Sequence, residues 1–254
     1  MSIALEREGR VAIVTLDRPA TRNALSDDFF AELAATVQAL DREPDLGCVV
    51  IAGHDRAFST GADVRELSSR TPVEVLLGRR AELWRALRDV RTPLLAAVSG
   101  HCLGGGFELA LACDAIIASP TARFGLPETS LGLIPGGGGT QLLVRLLGRA
   151  LATDVVLTGR RLTAQEALQF GIVARLAGEE GWLAAAKTMA GEVAGRPSVG
   201  QLLAKQALTA AFELPLSGGI ALERSAFQVA LASADAREGL AAFVEGRDPH
   251  WSGR

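Results

Sequence analysis

Two glycine runs and two glutamates are the places where this chain could do chemistry. Gly104-Gly105-Gly106 follows a strand-like segment and precedes an apolar helical one, Phe107–Ala112. Strand, glycines, helix is an arrangement that leaves backbone N–H groups exposed at a helix N-terminus, where an anion or a developing oxyanion can bind. A second run, Gly136-Gly137-Gly138-Gly139, follows Pro135 and also allows close approach to the main chain. As plain turns, both runs would serve tight packing instead.

Glu108 falls in the first turn after the first run, among Phe107, Leu109, Ala110 and Leu111. Burial raises a carboxyl pKa and a helix N-terminus lowers it, a combination that suits a tuned acid or base. Taken locally, an exposed first-turn glutamate that stabilises its helix is the stronger reading. Glu128 follows Pro127 in the apolar, Gly/Pro-punctuated stretch Phe124–Pro135. By itself it reads as a solvated loop residue or a cap. Together the two suggest paired carboxylates handling water. They lie 20 residues apart, and spacing alone does not show that they meet.

A third candidate is Phe58-Ser59-Thr60-Gly61-Ala62-Asp63, where the Ala62 N–H could face a site and Asp63 could cap a following helix. Ser59 and Thr60 lack the G-x-S-x-G elbow of a nucleophile. A Ser–His–Asp set can be drawn with His54 or His101, but no spacing favours it, and His101 reads as a packed or hydrogen-bonded side chain. No lysine follows either glycine run, and Gly104–Ala110 lacks the third glycine of a dinucleotide fingerprint, so ATP and NAD are poorly supported.

These groups need a scaffold. Ile3–Glu8 and Val11–Leu16 read as a hairpin around Gly9-Arg10. Ser26 can cap a helix with Asp27 and Asp28 in its first turn, and Phe30, Leu33, Ala34, Val37 and Leu40 continue it to about Arg42. Cys48–Ala52, Leu94–Val98 and Ala115–Ala118 read as buried strands. One helix is expected over Val73–Val90. After Gly139 helical patterns dominate: Thr140–Leu147, Leu151–Leu157, Ala164–Phe170, Trp182–Ala194, Ser198–Phe212, Ser217–Ala232 and Asp235–Val244. A strand, Ile172–Leu176, interrupts them. The expectation is an α/β core over 1–195 and a helical region over 196–254.

At 254 residues, 48% hydrophobic and 22% charged, the chain can bury a sizeable core without staples. Its net charge of −3 gives no global attraction to nucleic acid. Cys48, Cys102 and Cys113 form no C-x-x-C pair and no cluster with histidines, so neither a zinc site nor a disulfide framework is expected. No signal peptide or apolar span is visible, so a reducing, cytoplasmic setting is expected, with no membrane partner.

The motifs together resemble the enoyl-CoA hydratase/isomerase (crotonase) family. The resemblance rests on Arg22-Asn23-Ala24-Leu25, Ala57–Asp63, Pro93–Gly106 with Glu108-Leu109-Ala110, and Phe124–Gly139 with Thr140-Gln141. It continues through Leu157-Thr158-Gly159, Ala164–Ala167, Gly171-Ile172-Val173, and Glu238-Gly239 with Ala242-Phe243. The pieces run in the family's order from about Ile3 to Pro249.

That resemblance implies a crotonase-like (ClpP/crotonase) spiral of ββα units with a C-terminal α-helical trimerisation region, assembled as a homotrimer or a hexamer of two trimers. It implies hydration of a 2-trans-enoyl-CoA to a 3-hydroxyacyl-CoA. Glu108 and Glu128 map to the catalytic glutamates and the Ala62 and Gly105 N–H groups to the oxyanion hole. Arg22, Ala24, Thr60, Asp63, Val64, Arg65 and Gly136 map to substrate and CoA binding. No metal is implied, and no cofactor beyond the CoA carried by the acyl-CoA thioester substrate. Thr60 and Phe107 stand where smaller residues are common in the family, and tyrosine is absent. The alternatives are another crotonase reaction, isomerisation or a specialised dehydration, and a non-catalytic acyl-CoA- or RNA-binding member.

Overall fold

The computed structural model describes residues 2–178 and 181–253. In chain order the strands and helices begin with β1 (Ile3–Glu8), β2 (Val11–Leu16), α1 (Asp27–Leu40), β3 (Cys48–Ala52) and β4 (Ala57–Ser59). Next come α2 (Val64–Ser68), α3 (Pro72–Leu77), α4 (Arg80–Arg88), β5 (Leu94–Val98), β6 (His101–Leu103) and α5 (Gly105–Leu111). The middle of the chain adds β7 (Ala115–Ala118), β8 (Arg123–Gly125), α6 (Gly139–Thr158), β9 (Leu162–Thr163), α7 (Ala164–Gln169) and β10 (Arg175–Leu176). Four helices finish it: α8 (Trp182–Ala194), α9 (Ser198–Ala210), α10 (Leu216–Leu231) and α11 (Ala234–Glu245).

The strands divide between two sheets. The larger has the order β1-β2-β3-β5-β7-β10 and the smaller β4-β6-β8-β9. Pairs β3/β4, β5/β6 and β7/β8 each place their first strand in the large sheet and their second in the small one. Each repeat thus adds one strand to each layer, which produces the spiral. Apart from the β1/β2 hairpin the large sheet is parallel, and β3 and β5 are buried along their whole length. That burial explains why both read as unbroken apolar runs rather than alternating ones.

Capping follows the sequence. Ser26 Oγ accepts the Phe29 N–H and Asp63 accepts those of Arg65 and Glu66. Two expectations are corrected. The single helix over Val73–Val90 is two, because Gly78 adopts an extended conformation (φ −70°, ψ 157°) that ends α3, and α4 restarts at Arg80. The strand over Ile172–Leu176 shrinks to the two residues of β10, since the Ile172 and Val173 N–H groups both return to the Ala167 carbonyl at the end of α7. The separate helical patterns before and after Gly148 meet at that residue, whose backbone is not helical.

Candidate active site

Gly104 has φ +53°, ψ −132°, a conformation open to glycine alone, and this lets β6 turn at once into α5. As the first residue of α5, Gly105 carries an N–H to which its own helix offers no acceptor. Across from it, Gly61 (φ +92°) lies two residues past the end of β4. A Cβ added at Gly61 would lie 2.9 Å from Gly105 N, and one at Gly105 would lie 3.5 Å from Ala62 N. The two backbone nitrogens are therefore neighbours, and the Ala62 N–H has no acceptor among the described residues.

Ala62 is held by a single-residue bridge to Leu25. The Leu25 N–H donates to Gly61 O at 2.7 Å and Leu25 O accepts the Asp63 N–H at 3.3 Å. Asn23 locks the same turn: it is fully buried, donates to Phe58 O at 2.9 Å, and accepts the Arg18 N–H at 2.8 Å. Ser59 Oγ is committed to Asn23 O and to the Gly61 N–H. It is a structural brace with no bond to His54 or His101 among the described residues, so it forms no Ser–His–Asp set with them.

Glu108 points into the protein. It is 3% exposed, so the exposed first-turn reading does not hold. Its Oε1 accepts the N–H groups of Gly137 (2.7 Å) and Gly139 (2.8 Å). Burial raises its pKa above the usual carboxylate value, while the N–H groups of Gly139, Gly137, Gly136 and Gly138 pull the other way. The anion received by the second glycine run is thus the protein's own carboxylate. Glycine is required there for space: a Cβ at Gly137 would meet Trp84 at 2.5 Å and Glu108 Oε2 at 2.9 Å, and one at Gly139 would meet Glu108 Oε1 at 3.0 Å.

Glu128 opens a one-turn 3-10 segment, Glu128–Leu131. Its carboxylate lies over Gly104, where an added Cβ would come within 3.1 Å of Oε1. Oε2 is buried with no hydrogen-bond partner among the described residues. Burial, together with the charge of Glu108, pushes its pKa up to about 7 against the pull of its own N–H. Gly104, beneath Glu128 Oε1, caps the helix that carries Glu108, so the fold brings both glutamates to the N-terminal end of α5.

The structure therefore gathers Glu108, Glu128, Ala62, Gly105 and Gly136 around one spot. Thr60, Asp63, Val64 and Arg65 continue away from Ala62, with Val64 and Arg65 exposed on α2. Arg22 is exposed with φ +52°, and its carbonyl accepts the Thr60 N–H at 3.1 Å. It lines a cleft of about 550 Å³ with Arg56 and Trp182. Ala24 is half-buried next to Leu25. No group of three or more His, Cys, Asp or Glu able to hold a metal occurs among the described residues. The sequence reading gave no role to Asn23 or Trp84 and did not foresee that Gly137 and Gly139 cradle Glu108. The four-glycine run was the available signal for the cradle, but its partner lies 29 residues earlier in the chain.

Comparison with known proteins places these residues in a wider setting. The family model for enoyl-CoA hydratase/isomerase matches residues 6–254. A probable enoyl-CoA hydratase of Mycobacterium bovis is 42% identical, over 100% of this chain and 98% of its own length. The 2,3-dehydroadipyl-CoA hydratase of Escherichia coli is 40% identical over 99% of each chain. Among solved structures, subunit I of an enoyl-CoA hydratase from Geobacillus kaustophilus superposes with a TM-score of 0.97 at 43% identity, over 100% of this chain and 99% of that one.

Proposed function

The chain belongs to the enoyl-CoA hydratase/isomerase family, and from that premise we propose that it hydrates 2-trans-enoyl-CoA thioesters to 3-hydroxyacyl-CoA. The observation that carries this reading is the convergence of two pKa-raised glutamates beside two neighbouring backbone N–H groups that have no acceptor among the described residues.

The Ala62 and Gly105 N–H groups hold the thioester oxygen and stabilise the negative charge it gains as the enolate forms. A donor of this kind is worth roughly 3–4 kcal/mol of barrier. Glu108, kept ionisable by its backbone donors, takes a proton from water as the oxygen bonds to the β carbon. Glu128, whose pKa is pushed up to about 7, keeps a protonated fraction near neutral pH, and in that form gives its proton to the α carbon as the enolate collapses. One O–H and one C=C π bond break, one C–O and one C–H bond form, and a proton returning from Glu108 to Glu128 resets the pair. The exposed cations Arg22 and Arg65 suit the CoA phosphates.

Helices α9 to α11 expose Leu208, Leu216, Phe227, Phe243 and Val244, with Phe243 87% exposed. An apolar face of this extent favours self-association, and a trimer or a hexamer of two trimers fits it. No helix among the described residues is long and apolar enough to cross a membrane, and a cytoplasmic site of action remains our reading.

The test is mass spectrometry of purified protein incubated with a panel of 2-trans-enoyl-CoA esters. Gain of one water with a chain-length preference is the expected result. CoA esters that bind without gaining water would point to a different family reaction.

A further inference from the structure

Helix α4 reaches both halves of the site through one face. Arg80, Trp84 and Arg88 stand four residues apart, which lines them up along the helix. At one end, Arg80 donates from Nε to Asp27 Oδ1 at 2.6 Å and from Nη2 to the Leu25 carbonyl. That same carbonyl accepts the Asp63 N–H, and the Leu25 N–H donates to Gly61 O. Leu25 thus grips the residues on either side of Ala62. In such a bridge the central residue's own N–H faces away from the gripping strand, which turns the Ala62 donor toward Gly105. Arg70 completes the network by pairing with Asp27 and Glu66, and Glu66 accepts the Asp27 N–H at 3.0 Å.

One turn further, the Trp84 ring presses on Gly137, where an added Cβ would overlap it at 2.5 Å. After another turn, Arg88 Nη1 donates to Gly137 O at 2.9 Å. The N–H of Gly137 is one of the two that hold Glu108.

We propose that the Arg80–Trp84–Arg88 face of α4 is a positioning strut that fixes the distance between the Ala62 oxyanion donor and the Glu108 carboxylate. This rests on the hydratase reading above. None of the three residues needs to touch substrate. Arg80 acts through Leu25 on the donor, and Arg88 acts through Gly137 on the base. The two ends of one rigid helix therefore control two separable steps, polarisation of the thioester and activation of water.

The experiment uses 4-(dimethylamino)cinnamoyl-CoA, whose absorption moves to the red when its carbonyl is polarised, alongside steady-state hydration of crotonyl-CoA. In Arg80→Met the red shift is expected to shrink and kcat to fall about 10–100-fold, a weakened rather than lost donor, with KM little changed. In Arg88→Met the red shift is expected to persist while kcat falls. Arg85→Met, on the exposed side of α4, is expected to match the wild type in both readouts. Equal loss of both readouts in the two variants overturns the strut, because that is what general loosening would produce. Wild-type behaviour of both variants also overturns it. Where Arg80→Met does not fold, Arg80→Lys keeps a charge near Asp27 but cannot bond two acceptors at once. A full red shift in that variant overturns the proposal. Absence of any red shift in the wild type instead removes the oxyanion reading on which the proposal stands.

Discussion

Glu108 Oε1 and the Gly137 N–H are joined at 2.7 Å, and that bond connects the first glycine-run helix to the second glycine run. The carboxylate is buried yet has donors, so it can ionise without being stranded. Gly137 in turn sits beneath Trp84, with no room for a side chain.

Gly137→Ala should therefore damage both packing and chemistry. The new methyl overlaps Trp84 at 2.5 Å and crowds Glu108 Oε2 at 2.9 Å. Overpacking of this kind costs about 1–3 kcal/mol. We expect a lowered Tm and a kcat loss larger than the stability loss explains, measured by thermal melts and hydration kinetics. Gly136→Ala has open space at its Cβ position and should melt like the wild type.

Glu108→Gln and Glu128→Gln should each lower kcat by roughly 10²–10⁴-fold, the range for a positioned acid or base. Circular dichroism should show both variants folded. Near-normal turnover in both would remove the two-glutamate mechanism.

Glu128 makes a pH prediction with a definite sign. Its pKa rises from 4.5 in the unfolded reference to about 7 in the folded chain, so the folded state binds more protons between those values. Its contribution to stability is present below about 4.5 and is lost as pH rises through about 7. With solvent screening of a half-buried group, the cost of carrying that charge at pH 8 is on the order of 1–2 kcal/mol. Glu128→Gln should therefore melt higher than the wild type at pH 8, and the gap should close by pH 5. Wild-type kcat should decline as pH rises through about 7, because the proton donor is lost, and should also decline at low pH as Glu108 becomes protonated. A higher wild-type Tm at both pH values would contradict the assignment.

The exposed face of α10 and α11 should govern assembly. Phe227 and Phe243 are 65% and 87% exposed. Phe227→Glu with Phe243→Glu should shift the protein to smaller species in sedimentation velocity, since burying either charge would be costly. An unchanged sedimentation coefficient in a folded variant would place the contact elsewhere.

Some of this was legible in the sequence because the cause lies within one turn or strand. Ser26 and Asp63 cap helices that begin directly after them. The buried strands β3 and β5 are continuous apolar runs. Gly104 with Glu108 follows from one local turn, since a strand that becomes a helix so abruptly needs a residue without a Cβ. The ordered motifs were enough to place the chain in its family.

The rest depends on segments that meet only after folding. Strands β4, β6 and β8 have three residues each, too few for a period to register, and they exist because neighbouring repeats complete their hydrogen bonds. Glu108 was locally indistinguishable from an exposed first-turn residue until Gly137 and Gly139 closed over it. The raised pKa of Glu128 likewise belongs to no local pattern. Burial and the charge of a residue 20 positions away set it. Sequence determined which groups could do chemistry and the turns that carry them. Distance, dielectric environment and donor geometry act through space, so only the tertiary structure decided which groups meet and in what protonation state.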